Sequence, residues 1–218
     1  MHNPRLWAVE QETPQRIGVF GGTFDPIHFG HLAIALEVRH QLELDRMLLV
    51  VANDPWQKTV FNSVTPAQFR LEMVQAAVSA ANETVGAVVL EAGDQEIRRG
   101  GETYTADTLA ALDSGTDSET GGAELFVVVG SDIAASLDTW ERPEDVQRLA
   151  TTVVAERGGN AGGRPPEGWE HLVVEVPALE ISSTDIRNRF RNGRPVQALV
   201  PPGVIGYVRS NGLYGSAR

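Results

Sequence analysis

The sequence predicts a doubly wound α/β fold: a mainly parallel sheet with helices on both faces and a small helical cap at the C-terminal end. Three observations predict it. Short apolar, β-branched runs alternate with helical patterns, as in strands joined by crossover helices. The runs are apolar nearly throughout, as strands covered on both faces must be. The first run ends in a glycine-rich turn that opens straight into a helix, which is where open α/β sheets bind ligands.

Taken in order, the predicted strands are Ile17–Phe20, Met47–Ala52, Val85–Leu90, Leu125–Val129, Thr152–Ala155 and Leu172–Val176. The first helix is predicted from Gly30 to about Leu42, with Leu32, Leu36 and Val38 toward the sheet. A second starts at Thr65-Pro66-Ala67-Gln68, which reads as an N-cap, a first-turn proline and a capping-box glutamine. A third covers about Ala106–Leu112 with Thr105 as its cap, and a short one follows Ser131. The last two are Ser183–Arg191, closed by Gly193, and Gly203–Ser210. Ser114–Gly122, acidic and glycine-rich, and Gly158–Gly168 read as linkers. With no internal repeat, residues 17–214 read as a single domain, preceded by a disordered tail at 1–16 and followed by a short tail at 215–218.

Composition narrows the function. With 218 residues, 42% hydrophobic and 22% charged, the chain can bury a sizeable core. A formal net charge of -11 argues against general nucleic-acid binding, whose affinity comes from a basic surface. A small anionic substrate needs only a few well-placed cations and stays open. No cysteine means no disulfide and no thiolate metal site, and a cytoplasmic home is the natural expectation. The first sixteen residues lack the apolar core of a signal peptide, and no run approaches the roughly 18 apolar residues of a membrane span. A homo-oligomer is left open.

The stretch Gly18–His31, "GVFGGTFDPIHFGH", carries the first chemistry. Gly21 and Gly22 let backbone approach a ligand without Cβ obstruction. The helix beginning near Gly30 aims its N–H groups and positive dipole end at the same spot, an arrangement that favours phosphate. His28 and His31, three apart, add imidazole donors. The spacing matches neither a P-loop nor a dinucleotide fingerprint. A metal held by Asp25, His28 and His31 would want further ligands, and none is expected. Histidines that merely satisfy loop backbone are the plainer alternative.

The second chemistry lies in Ile181-Ser182-Ser183-Thr184-Asp185-Ile186-Arg187. Hydroxyls of Ser182 and Ser183 are expected to cap a helix whose N–H groups face an anion. Arg187 is expected in the first turn, against the dipole, a placement that makes sense beside a polyphosphate. Ile186 and Phe190, four apart, supply the buried face. In isolation the segment is equally a good N-cap followed by a solvated arginine.

Together the two segments resemble a known family. "GGTFDPIHFGH" is similar to the H-x-G-H signature of the nucleotidyltransferase superfamily, and its G-G-T-F-D-P-x-H form resembles bacterial nicotinate-nucleotide adenylyltransferases. The second segment matches the family's I-S-S-T-x-x-R. Similarity extends through "NDPWQK" (Asn53–Lys58), "ETYTADTL" (Glu102–Leu109) and "GSDIAASLDTW" (Gly130–Trp140). The resemblance implies a Rossmann-like nucleotidyltransferase joining nicotinate mononucleotide to ATP, with Mg2+ accompanying the ATP. It implies catalytic roles for His28, His31 and Arg187. It implies ATP contacts at Gly21, Gly22, Thr23, Phe24, Gly30, Gly130, Asp132, Ser183 and Thr184 as well. Lys58, Tyr104, Thr105, Trp140 and Arg157 are implied for the mononucleotide, Trp140 stacking on its ring, although Trp140 reads equally well as a core residue. Where the family often has S-R-P-G after the fifth strand, this chain has Glu156-Arg157-Gly158-Gly159, so a looser turn is expected there. Adenylyl transfer to nicotinamide mononucleotide or to phosphopantetheine, and a non-catalytic nucleotide-binding regulator, are the rival readings.

Overall fold

Six strands form one sheet: β1 (Arg16–Gly22), β2 (Arg46–Val51), β3 (Leu90–Gly93), β4 (Glu124–Gly130), β5 (Thr151–Arg157) and β6 (His171–Val176). The helices are α1 (Phe29–Gln41), α2 (Ala67–Val85), α3 (Gln95–Arg99), α4 (Thr105–Asp113), α5 (Ser131–Ala134), α6 (Pro143–Leu149), α7 (Ser183–Arg191) and α8 (Pro202–Ser210). Two 3₁₀ turns cover Leu137–Thr139 and Leu213–Gly215. The computed structural model describes residues 14–54, 64–115, 122–158 and 162–216. Lys58, Trp56, Trp7 and most of the expected N-terminal tail lie outside the described residues.

The strand order is β3-β2-β1-β4-β5-β6, and all five pairings are parallel. The sheet grows one way from β1 through β2 and β3, then the other way through β4, β5 and β6. The reversal between β1 and β4 is the topological switch point, and the crevice beyond their carboxyl ends is where such a sheet holds a ligand.

Strand side chains alternate between two cores. Val19, Val50, Val127 and Val154 face α4 and α6, meeting Ala106, Leu109, Leu112 and Val146. Phe20, Leu49, Val128 and Val153 face the other way, toward Leu32, Ala35 and Val38 of α1, Val74 of α2, Ile186 of α7 and Val204 of α8. Each such apolar side chain contributes roughly 1.5–3 kcal/mol on burial, so both faces of the sheet are held firmly.

Four local expectations are corrected. Val85–Leu90 is not a strand: α2 continues through Val85, stops at left-handed Gly86 (φ 78°), and β3 begins only at Leu90. Val88 is 72% exposed, while Asn82 bonds across to Val89 and Leu90, so the β-branched run is a helix end plus a connector. Thr65 does not cap α2; Pro66 holds that position, and Thr65 uses its N–H and carbonyl to bond Asp25 and Arg70 instead. Tyr104, not Thr105, precedes α4 as its cap position. Leu36 is only partly buried, and Ile34 and Ala35 take more of the buried face of α1. The folded region also begins earlier and ends later than the expected 17–214. Arg16 belongs to β1, and Ser216 bonds back to Leu213 and Val208.

Candidate functional site

β1 delivers its last two glycines to the switch point. A Cβ on Gly21 would meet nothing within 4 Å, so its face of the strand opens onto free space. At Gly22 a Cβ would lie 2.7 Å from the Phe24 ring. Phe24 itself is buried with φ 49°, a strained conformation for an aromatic residue, and its ring stands edge-on to His31 at 5.0 Å. Thus the glycine is required by the ring that positions the histidine.

His28 occupies the N-cap of α1. Its backbone N–H donates to His31 Nδ1 at 3.3 Å, which places the proton of neutral His31 on Nε2. The two imidazoles stack with centroids 3.7 Å apart, 20° from parallel. His28 is 3% exposed, and burial followed by the nearby charge of Arg157 lowers its pKa to about 4. It is therefore neutral at pH 7, and its buried Nδ1 has no hydrogen-bond partner among the described residues. That nitrogen lies 3.0 Å from where a Gly30 Cβ would be, close to Ile181 at the approach to α7.

The start of α7 is bolted to this turn. Ser182 alone acts as the cap, accepting from the Asp185 N–H, whereas Ser183 Oγ donates to the Pro26 carbonyl at 2.9 Å. Arg187 sits one turn into α7 rather than in its first turn. Its Nη1 donates to the Asp25 carbonyl at 2.7 Å and its Nη2 to Thr184 Oγ1 at 3.3 Å. Two helix starts from opposite ends of the chain, those of α1 and α7, therefore meet beside the end of β1. Arg157, at the end of β5, is exposed, and its charge acts on His28.

On the other side of the β1 end lies a cleft of about 150 Å³. Gly21, Gly22, Gly130, Thr105 and Trp140 line it, together with buried Glu96. Trp140 also packs on the α4–α6 core, so it serves as core and as cleft wall at once. Asp132 and Tyr104 do not line this cleft. Asp132 is exposed in α5 and folds over Gly130, and the Tyr104 hydroxyl donates to Glu102. The expected looser turn runs into residues 159–161, which lie outside the described residues; beyond it, Gly162 and Gly163 press against Ser131 and Ala135 with no room for a Cβ. Thr23 accepts from Arg70 through its carbonyl.

Three residues have roles that the reading of the sequence did not assign. Arg70 is 1% exposed and donates to the carbonyls of Thr23, Asn53 and Thr65, joining the turns after β1 and β2 to α2. Its signal was legible, since a charge at position 70 falls on the apolar stripe with Met73, Val74 and Ala77. Glu96 is 5% exposed and accepts from Thr108 at 2.8 Å; burial raises its pKa, and hydrogen bonds and nearby arginines oppose the rise. Asp25 is the third. Its Oδ1 accepts from the Tyr214 hydroxyl at 2.6 Å and its Oδ2 from the Thr65 N–H at 3.2 Å, so both oxygens are engaged within the protein. No group of three or more histidine, cysteine, aspartate or glutamate side chains that could hold a metal ion occurs among the described residues.

The cytidylyltransferase-like family matches residues 19–189. A relative from Leifsonia xyli subsp. xyli, named "Probable nicotinate-nucleotide adenylyltransferase", is 41% identical over 210 residues, 94% of this chain and 97% of its own. The chain belongs to this family. A relative of the same name from Saccharopolyspora erythraea is 42% identical over 202 residues, covering 92% and 90% of the two chains. Among solved structures, the nicotinic acid mononucleotide adenylyltransferase of Plasmodium falciparum complexed with NaAD superposes with a TM-score of 0.73 at 18% identity, over 93% of this chain and 98% of that one. At that identity the likeness speaks for the fold, and it agrees with the all-parallel sheet.

Proposed function

We propose that the protein is a nicotinate-nucleotide adenylyltransferase: it transfers the adenylyl group of ATP to nicotinate mononucleotide, forming nicotinate adenine dinucleotide and pyrophosphate in NAD biosynthesis. The observation that carries this reading is the meeting of the α1 and α7 starts at the end of β1, with His28, His31 and Arg187 between them. Two helix N-termini, two imidazoles and a guanidinium suit a polyphosphate.

A mononucleotide phosphate oxygen attacks the α-phosphorus of ATP in line, and the bond to the β-phosphate's bridging oxygen breaks as pyrophosphate leaves. Phosphate is itself a competent nucleophile, so no covalent enzyme intermediate is needed. Catalysis rests on positioning and on neutralising charge. His31 donates from Nε2 to the transferred phosphate, with neutral His28 held against its ring. Arg187 and the first turn of α7, with Ser183 and Thr184, receive the departing β and γ groups. Gly21, Gly22 and Gly130 admit the nucleotide close to backbone, and Asp132 meets its ribose. Thr105, at the start of α4, takes the acceptor's carboxylate, and Trp140 takes its ring. Tyr104, Arg157 and Lys58 complete the acceptor's surroundings.

Mg2+ would accompany ATP as part of the substrate and would offset triphosphate charge. No step above passes through it. The cytoplasm, where ATP is abundant, is the proposed setting, and no helix among the described residues is long and apolar enough to cross a membrane.

The test is incubation with ATP and one acceptor at a time: nicotinate mononucleotide, nicotinamide mononucleotide or phosphopantetheine. Pyrophosphate release with the first, and at least tenfold less with the others, is expected. Release only with another acceptor, or with none, overturns the reading.

A further inference from the structure

We propose that Tyr214, in the C-terminal 3₁₀ turn, is a positioning residue of the polyphosphate site: its hydroxyl holds Asp25, and the backbone of Asp25 holds the guanidinium of Arg187. The inference rests on the reading that Arg187 receives the phosphates of ATP.

The contacts form an unbroken line. Tyr214 Oη donates to Asp25 Oδ1 at 2.6 Å, and the Asp25 carbonyl accepts from Arg187 Nη1 at 2.7 Å. Asp25 is 5% exposed, so its carboxyl group depends on protein donors, and Tyr214 supplies one of the two that it has among the described residues. Arg187 in turn acts on the Tyr214 hydroxyl through its charge, which places the two ends of the line within electrostatic reach. Burial and Asp25 hold the phenol well above its ordinary range, so Tyr214 remains a donor at any working pH.

The backbone gives a second, independent reason. Tyr214 has φ 57°, the left-handed region that disfavours a bulky side chain. Its neighbours Gly212 and Gly215 adopt positive φ at little cost, yet an aromatic residue stands between them in the same conformation. Strain of this kind persists where the side chain is needed in one place. Anchoring the turn does not need the hydroxyl, because the ring already lies against Phe190 at 5.9 Å. A phenylalanine would serve that purpose. The oxygen is directed at Asp25.

The test is Tyr214→Phe, which keeps the ring and removes the donor. The Michaelis constant for ATP is expected to rise about fivefold, the scale of one hydrogen bond, while that for the mononucleotide stays within about twofold. Arg187→Ala is expected to raise the ATP constant by about tenfold or more, and adding Tyr214→Phe to it should change little further. Equal rises for both substrates, an unchanged ATP constant, or full additivity with Arg187→Ala overturn the proposal. Calorimetric ATP affinity, measured with no acceptor present, gives the same comparison without turnover, so it separates this inference from the identity of the acceptor. If Tyr214→Phe is recovered only unfolded, Asp25→Ala, which removes the side-chain acceptor and keeps the backbone carbonyl, carries the test with the same outcomes.

Discussion

His28 and His31 stack face to face with their centroids 3.7 Å apart, and the buried one is kept neutral. Two imidazolium rings at that distance would repel each other, so a neutral His28 lets its neighbour meet phosphate without a like charge against it. Burial, with help from Arg157, is what keeps it so.

A pH dependence of stability follows. Unfolded His28 takes up a proton near pH 6.5, whereas folded His28 resists until about pH 4. Between those values the unfolded state binds more protons, so stability is full above about pH 6.5 and is lost as pH falls toward 4. From pH 7 to pH 5 the loss from this residue is roughly 2 kcal/mol. Urea titrations at the two pH values should show it, and His28→Asn, which has no proton to gain, should lose correspondingly less. Equal losses in the two proteins would mean that His28 is not the titrating group.

The donor assigned to His31 is tested by turnover. His31→Ala should lower kcat by about 10²-fold, as loss of one preorganised donor to a transferring group commonly does. Because Phe20 and Phe24 pack on the ring, the urea midpoint should be measured beside the rate. A kcat within threefold of the parent's removes His31 from the chemistry.

Much of this arrangement was legible in the sequence, and the failures have physical causes. The two helix starts could be read because caps, glycines and the apolar stripe at Ile186 and Phe190 are local signals. Their convergence on one ATP was expected from the two motifs taken together, but the contacts that hold it were not, since they depend on Ser183 and Arg187 reaching carbonyls more than 150 residues away in the chain. Val85–Leu90 misled because β-branched residues favour strands, and Gly86 was not read as the stop of a preceding helix. The α6 helix was missed although Pro143 at its first turn and Glu144 and Asp145 behind it are ordinary start signals. Tyr214 gave no signal at all: its role depends on a partner 189 residues upstream.

Trp140 divides two roles that a single variant can separate. It lines the cleft with Thr105 and Gly22, and it also packs on the α4–α6 core. Trp140→Ala should raise the Michaelis constant of the mononucleotide by about tenfold, the scale of one lost stacking contact, and leave that of ATP within about twofold. Trp140→Phe should restore most of it, since a flat ring remains. A pure core role would instead lower the urea midpoint and leave both constants alone.

Arg70 makes the strongest case for a residue that acts on the site without touching it. Its guanidinium donates at 2.7, 2.8 and 3.0 Å to the carbonyls of Thr65, Thr23 and Asn53, three segments that the sheet alone does not hold together. Burial lowers its pKa and Asp25, among others, raises it again, so the charge is compensated where it lies. Replacing it by methionine keeps much of the bulk on the apolar stripe but strands three part-buried acceptors, at about 1 kcal/mol each. The thermal midpoint should therefore fall by roughly 6–12 °C for a chain of this size. Because Thr23 lies between Gly22 and the strained Phe24, kcat should fall as well, even at temperatures where the variant is fully folded. A drop in midpoint with unchanged kcat at those temperatures would confine Arg70 to the scaffold and leave the glycine turn to be held by Phe24 alone.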